Sequence, residues 1–440
     1  MQSKRLVYLL VAAILVSCSP YKGGGELTGT RKSKKWFEPQ PYGMVLIPTG
    51  SLNIGQNDED MTWAMSASTR TVSVPAFWMD ETEITNDEYR QFVMWVKDSI
   101  VRQRLADEGF EEFLMRDRQG NVLEPAKLDW RTRMDPRKGE DYKDVLAALE
   151  YQGDDRVGGG GLDVRKLVYS YSWYDLVQAA VNDKYYDPAS GTYKGGFVIN
   201  ANGEKEPIKG RSSFVMKKNV RIYPDTLCWL KDFTYAYNEP FVKEYFSHPG
   251  YDNYPVVGVN WNQAQAFCNW RTQLYNNNSN SHVHEWRLPS ETEWEYAARG
   301  GLSGAIYPWG SHYTRNNKGC FLANFKPLRG NYISDGGVVT LPVGTYEPNG
   351  FGLYDMAGNV AEWTNEAYDE SAYQVTHDMA PSYQYTAKAS DNRIFKRKVV
   401  RGGSWKDIAF YLQCGVRSYD YQDSARSFIG FRTVRTRIEL

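Results

Sequence analysis

The sequence predicts an α+β domain that is rich in loops and interrupted by a large insertion. Three short helices are signalled by their caps, and apolar stretches around them read as strands. Gly300 to Gly358 carries so much Gly, Asn and Pro that regular structure has little room there. The middle, roughly Ile100 to Asn253, differs in texture, with a run at Gly158 to Gly161 and turns such as Asp187-Pro-Ala-Ser-Gly191.

In chain order, Met44 to Pro48 and Thr71 to Trp78 read as strands. Thr85-x-x-Glu88 is a capping box, and Tyr89, Phe92, Val93 and Val96 then share one helical face. In the middle region Asp141 to Tyr151 and Asp163 to Asp183 are expected as helices. The second would pack an amphipathic face of Leu167, Val168, Tyr171, Leu176 and Val177. Val256 to Val259 reads as a strand, after which Asn260 caps a helix carrying Ala264, Phe267 and Cys268. Ser290-x-x-Glu293 starts a third helix, which Gly300-Gly301 stops because a left-handed cap suits a residue without Cβ. Val338 to Pro342 and Val399 to Trp405 are the remaining strand-like pieces.

The N-terminus reads as an export signal, with Lys4 and Arg5 ahead of an apolar Leu6 to Val16 that is too short to span a bilayer. Leu15-Val16-Ser17-Cys18 resembles a bacterial lipobox, which implies removal of residues 1–17 and acylation of Cys18. Ser19 behind it points, by the same resemblance, to the outer membrane. Residues 18–40 hold Lys22-Gly-Gly-Gly25 and Arg31-Lys-Ser-Lys-Lys35 and read as a flexible tether. The 52 Lys and Arg are balanced by 53 Asp and Glu, evenly mixed, so no nucleic-acid footprint is expected. Beyond Cys18 stand Cys228, Cys268, Cys320 and Cys414; an even number in an exported chain permits two disulfides, and their spacing fits no zinc site. No phosphate loop, nucleophile elbow or zincin pattern occurs.

More specific signals follow in fixed order. Pro41-Tyr-Gly-Met-Val-Leu-Ile-Pro-Thr-Gly50 leads to Asn53-Ile-Gly55, then Glu83-Ile-Thr-Asn86 and Pro255-Val-Val-Gly-Val-Asn-Trp261. Arg287-Leu-Pro-Ser-Glu-Thr-Glu-Trp-Glu-Tyr-Ala-Ala-Arg-Gly-Gly301 and Pro348-Asn-Gly-Phe-Gly-Leu-Tyr-Asp-Met-Ala-Gly-Asn-Val-Ala-Glu-Trp363 come next. Arg401-Gly-Gly-Ser-Trp405, Arg417 and Gly430-Phe-Arg432 close the series. Together they resemble the formylglycine-generating-enzyme (sulfatase-modifying-factor) family, a variant of the C-type-lectin-like fold. The resemblance implies that 41–100 and 254–440 form that domain and that 101–253 is an insertion within it.

Enzymes of this family carry two cysteines after the Arg-Gly-Gly-Ser-Trp block, whose thiolates hold copper and activate oxygen. Here the first of those positions is Asp407 and the second falls near Leu412. Neither side chain is a thiolate, so the resemblance implies a pseudoenzyme with no redox cofactor. It also implies structural calcium, a hard cation that takes oxygen ligands from loops. One set would be Asn324, the Phe325 carbonyl, Asp335 and the Gly337 carbonyl; the other Asn359, Glu362 and the Gly358 and Val360 carbonyls. Cys268 and Cys414 match positions that are disulfide-linked in relatives, which leaves Cys228 and Cys320 as the second pair.

Within the insertion, Tyr223-Pro-Asp-Thr-Leu-Cys-Trp-Leu-Lys-Asp-Phe233, Tyr237-Asn-Glu-Pro240 and His248-Pro-Gly-Tyr-Asp-Asn-Tyr-Pro-Val-Val257 are similar to GldK/PorK-type lipoproteins of gliding motility and type IX secretion. That similarity implies a structural ring component on the periplasmic side of the outer membrane, self-associating and paired with a GldN/PorN-type protein. Contact with GldL/GldM-type motor proteins would be indirect. Two other readings stand beside it: a metal-dependent oxidoreductase of the same family using Asp407, and a lectin-like glycan- or peptide-binding module using Trp405, Trp309 and Tyr411.

Overall fold

The structure is a computed structural model that describes residues 38–55, 67–133, 140–151, 161–201, 203–233, 238–279, 283–327 and 337–437. The expected signal peptide, Cys18 and nearly all of the tether lie outside the described residues, as does Asp335. The first half supplies strands β1 (Met44–Ile47), β2 (Gly50–Ile54), β3 (Arg70–Val74) and β4 (Phe77–Asp80), then helices α1 (Asn86–Asp107) and α2 (Glu140–Ala147). Next come β5 (Val168–Tyr174), α3 (Leu176–Val181), β6 (Tyr186–Asp187), β7 (Thr192–Tyr193), β8 (Phe197–Ile199), β9 (Lys205–Pro207), β10 (Val215–Arg221), α4 (Cys228–Lys231) and α5 (Glu239–Glu244). The second half adds α6 (Trp261–Asn278), β11 (Trp286–Arg287), α7 (Glu291–Arg299), β12 (Ala361–Ala367), α8 (Ala372–Val375), β13 (Arg397–Arg401), β14 (Ser418–Tyr421), β15 (Ile429–Gly430) and β16 (Val434–Thr436).

Two four-stranded sheets frame the core. One runs β1-β4-β16-β11 and is antiparallel throughout, so strands from both ends of the chain meet side by side. The other runs β14-β13-β12-β15, with β12 and β15 parallel and an irregularity between Trp363 and Ala367. The three capped helices begin where the sequence placed them. Thr85 Oγ1 accepts the Glu88 amide at 3.3 Å while Glu88 Oε2 accepts the Thr85 amide at 2.9 Å. Asn260 with Gln263, and Ser290 with Glu293, close the same reciprocal pairs. Gly300 ends α7 at φ 58°, as a left-handed stop requires. Only α7 is short; α1 runs 22 residues and α6 runs 18. Between α1 and α6 the core is aromatic, with Tyr89 stacked on Phe267 at 5.6 Å and Phe92 against Trp270 at 5.1 Å.

Several expectations are corrected. Asp163 to Asp183 is not one helix: β5 fills its centre, with a 3-10 turn at Val164–Lys166 before it and α3 after it. Tyr169, Tyr171 and Trp173 alternate with Ser170 and Ser172, and that period of two, made of aromatic residues that favour strands, prevails because β10 pairs with it along seven residues. Val256 to Val259 and Val338 to Pro342 are irregular and not strands, with Gly258 at φ 73° in a bend. Their amides are taken singly by different segments, Val256 by the Ile84 carbonyl and Gly258 by that of Arg426, each at 2.8 Å. The β5–β10 ribbon crosses α6, where the Tyr169 hydroxyl lies 3.1 Å from Asn269 Oδ1 and Lys218 donates to Asn262 Oδ1 at 2.7 Å.

The expected disulfides are also corrected: Cys228, Cys268, Cys320 and Cys414 are free thiols. Cys268 packs in the cluster of Phe267, Trp270 and Phe431, whereas Cys414 packs with Trp294, Ala297 and Ala298. Cys228 lies under Trp229 and Tyr245, while Cys320 is exposed. A disulfide needs Cβ atoms roughly 4 Å apart, which separate clusters do not supply.

Candidate functional site

The loop after Arg401-Gly-Gly-Ser-Trp405, which holds Asp407 and Leu412, is positioned by buried charge. Helix α7 turns Glu291, Glu295 and Arg299 inward, and all are nearly inaccessible. Arg401, at the end of β13, pairs with Glu295 and lies 3.3 Å from Glu291. Arg299 meets Glu295 at 2.6 Å and Arg417 meets Glu291 at 2.6 Å. Such ions would be very costly alone and persist here because each has a partner. Arg401 also donates to the carbonyls of Cys414 at 2.8 Å and Val416 at 2.9 Å, which fixes the far end of the loop.

Beyond Arg401 the chain turns through Gly402 (φ 90°) and Gly403 (φ 66°). A Cβ on Gly403 would lie 2.8 Å from the Tyr411 carbonyl group, so the loop's two arms close only around a residue without one. Ser404 Oγ then donates to Asp407 Oδ2 at 2.6 Å, and the Asp407 carbonyl accepts the Lys326 amide at 2.8 Å. Burial pushes the Asp407 carboxyl above its ordinary value, against the opposing hydrogen bond from Ser404. Leu412 is fully buried among Ile306, Tyr307, Ala323, Phe325 and Ala357. The site thus presents a hydrogen-bonded carboxyl and an isobutyl group.

Residues 229–233 cover this loop, which sequence reasoning did not anticipate. Phe233 stacks on Trp405 at 5.3 Å and 9°, and Trp229 from α4 follows at 6.3 Å and 17°. Asp232 Oδ2 accepts the Ser427 amide at 2.8 Å and its hydroxyl at 2.7 Å, anchoring the cover to the strand region beneath. The aromatics of Tyr223 to Phe233 were the available signal. Of the three aromatics considered for a ligand-binding face, only Tyr411 is exposed; Trp309 stacks on Tyr307 at 4.9 Å. The described cavities of about 600 Å³ (beside Glu81, Asp87, Trp270 and Arg271) and about 200 Å³ (beside Asn53, Tyr296 and Leu302) do not include Ser404, Trp405 or Asp407.

The two calcium sets fare differently. Glu362 is not available as expected: Arg432 Nε lies 2.9 and 2.8 Å from its oxygens, Arg432 Nη2 lies 2.7 Å from Oε1, and the Trp294 indole donates to Oε2 at 2.8 Å. Asn359 Oδ1 accepts the Leu341 amide at 2.9 Å, and its Nδ2 donates to Glu83 at 2.9 Å. Arg432 and Trp294 therefore already engage Glu362, while buried Glu83, its carboxyl raised above its ordinary value by burial and by Asp355 and Glu362, takes the Asn359 side chain and the Val360 amide. In the first set Asn324 is buried; its Nδ2 donates to the Val339 carbonyl at 2.8 Å, and its Oδ1 has no hydrogen-bond partner. A Cβ on Gly337 would lie 2.8 Å from that same Val339 carbonyl, which sets Gly337 beside Asn324. Among the described residues no group of three or more His, Cys, Asp or Glu side chains is arranged around a metal position.

One titrating pair was also missed. Lys398, buried on β13 over the Trp261 ring at 3.8 Å, is pushed down to about 7 by burial and by Lys218. Glu366 is pushed up to about 8 by burial and by Glu291. In sequence, Lys398 sits beside Arg397 and Arg401 and looks like an ordinary surface cation.

Comparison with known proteins accords with this architecture. The family described as "Sulfatase-modifying factor enzyme 1-like domain" matches residues 31–148 and 198–437. Formylglycine-generating enzyme of Mus musculus is 34% identical over 190 residues, covering 41% of this chain and 44% of its own length. The inactive C-alpha-formylglycine-generating enzyme 2 of Bos taurus is 36% identical over 185 residues, 41% and 49% of the two chains. The chain thus spans about half the length of the relatives it matches. Among solved structures, PvdO from Pseudomonas aeruginosa aligns with a TM-score of 0.44 and 16% identity over 89% of this chain and 94% of its own.

Proposed function

The chain belongs to the sulfatase-modifying factor enzyme 1-like family, and we propose that it uses the fold as a non-catalytic structural lipoprotein. The observation that carries this is the replaced loop: Asp407 hydrogen-bonded to Ser404 and Leu412 in the core, beneath a Trp405 capped by Phe233. Oxidation of a substrate cysteine by this fold requires two thiolates around a soft metal, and a carboxyl with an alkyl group offers neither. That one relative is named inactive accords with a branch of the family working without the reaction.

The finer reading is a ring component of GldK/PorK type, anchored through Cys18 on the periplasmic side of the outer membrane. It would be paired with a GldN/PorN-type protein and linked indirectly to GldL/GldM-type motor proteins. The lipobox-like Cys18 and the insertion motifs support it. Calcium, if bound, would be held by Asn324 with the Phe325 and Gly337 carbonyls and Asp335, and its chemistry would be to bridge loops. The unpartnered Asn324 oxygen favours that set.

The decisive experiment incubates the full chain aerobically with copper and a cysteine-bearing sulfatase peptide. No aldehyde should form, and formylglycine by mass spectrometry would overturn the pseudoenzyme reading. Affinity capture from mildly solubilised membranes should recover a GldN/PorN-type partner in stoichiometric amount; recovery of the chain alone would remove the ring reading while leaving the first result intact.

A further inference from the structure

The β5–β10 ribbon has two edges of unlike character. The Ile222 amide donates to the Leu167 carbonyl at 3.1 Å and the Asp175 amide to that of Phe214 at 2.9 Å. The odd-numbered residues of β5 therefore carry the ladder to β10, and Val168, Ser170, Ser172 and Tyr174 turn their N–H and C=O groups outward. Among the described residues no backbone group pairs with that outer edge. Exposed edges are ordinarily guarded by charge, proline or a bulge, because an open row of donors and acceptors recruits another strand. The β10 edge is guarded in this way by Lys217, Lys218 and Arg221. The β5 edge, Val-Tyr-Ser-Tyr-Ser-Trp-Tyr, has seven residues without a charge, proline or glycine.

The order of side chains on β5 reads nearly the same in both directions. Antiparallel pairing with a second β5, centred on Tyr171, sets Ser170 against Ser172 and Val168 against Tyr174. Each of those pairs joins outward-facing backbone groups to outward-facing groups, as the ladder requires. Tyr169 falls opposite Trp173, and Tyr171 opposite its own counterpart, so aromatic meets aromatic across the seam. With no charge on the strand, nothing in it opposes self-association. Ser170, Ser172 and Tyr174 are exposed, and the Ser170 hydroxyl donates to Asn219 Oδ1 at 2.6 Å within the ribbon.

We propose that the outer edge of β5 is a self-recognition surface, at which two copies of this chain join as one four-stranded sheet, β10-β5-β5-β10, about a two-fold axis. Such a contact is isologous and closes on itself. It stands on the edge alone and does not depend on the ring reading.

Sedimentation equilibrium of the full chain in density-matched mild detergent, over a concentration series, tests it alongside amide exchange of residues 168–174. The mass should rise to twice that of the protomer, while the Ser170 and Ser172 amides slow with concentration. Ser172→Pro removes a donor that the protomer does not use, and the Ser170→Asp, Ser172→Asp double variant sets carboxylates against each other across the seam. Both should remain at the mass of one protomer with an unchanged near-ultraviolet spectrum. A protomer mass at every concentration, or a dimer that persists in both variants, overturns the proposal. Should either variant misfold, exchange at Ser170 and Ser172 in the unaltered chain that is independent of concentration overturns it just as well.

Discussion

The sheets and helix that carry Glu291, Glu295 and Arg401 and the segment around β5 and α4 are stabilised by different chemistry. The core buries whole ions: Glu291, Glu295 and Glu362 are each held by an arginine from a distant block, and Arg299 by Glu295 one turn away on its own helix. The β5–α4 segment buries fewer ions, among them Asp163 and the side chain of Asp232, leaves pairs such as Lys194 with Asp187 nearer the surface, and packs through rings such as Tyr169 on Phe92 and Trp229 on Phe241. A buried ion pair tolerates no partner's loss, because the survivor is left charged in a dry interior. Ring packing loses only what is removed. Loss of one partner should therefore cost more among the core ions than loss of a ring in the β5–α4 segment.

The sharpest way to break that contrast is Arg432→Met, which strands Glu362 in the core and should cost about 3–5 kcal/mol. Denaturant unfolding measures it, and a loss under about 1 kcal/mol would mean the core ions are not what distinguishes the two regions. Phe233→Ala on the β5–α4 side should cost less, about 1–3 kcal/mol, since the ring is only partly buried on Trp405. A cost equal to that of Arg432→Met would erase the difference.

Next in size is a pH effect. Glu366 titrates at about 8 instead of 4.5 in the folded chain, so its contribution is complete below pH 4.5 and is lost as pH rises through 8. Lys398 runs the other way: lowered to about 7, it contributes fully above 10.5 and loses this as pH falls through 7. Glu366→Gln should therefore flatten the decline in stability between pH 4.5 and 8, by up to about 1.4 kcal/mol per pH unit. Identical slopes for variant and parent would show that Glu366 ionises normally. The smallest effect is chemical: among the four cysteines of the described residues, Cys320 alone should react with a thiol reagent in the native state, with Cys228, Cys268 and Cys414 reacting only after unfolding. An unfolded, unreduced chain in which Cys268 and Cys414 resist alkylation would restore the expected bridge.

What the sequence determined by itself was local. The starts of α1, α6 and α7 were legible because a capping box is a contact between residues three apart, and the Gly300 stop because one φ angle decides it. That Asp407 and Leu412, neither of them a thiol, follow the Arg401-Gly-Gly-Ser-Trp405 block was equally legible, being a matter of residue identity within one stretch. Tertiary structure alone decided what depended on distant partners. Residues 168–174 could suit a helix or a strand until β10 arrived from beyond residue 214 to pair with them. Glu362 was a fair oxygen ligand until Arg432 occupied it from 70 positions away, and Trp405 a fair binding face until Phe233 lay on it. Each of those outcomes turns on which group reaches a buried site first, and burial is a property of the folded chain that no short window of sequence contains.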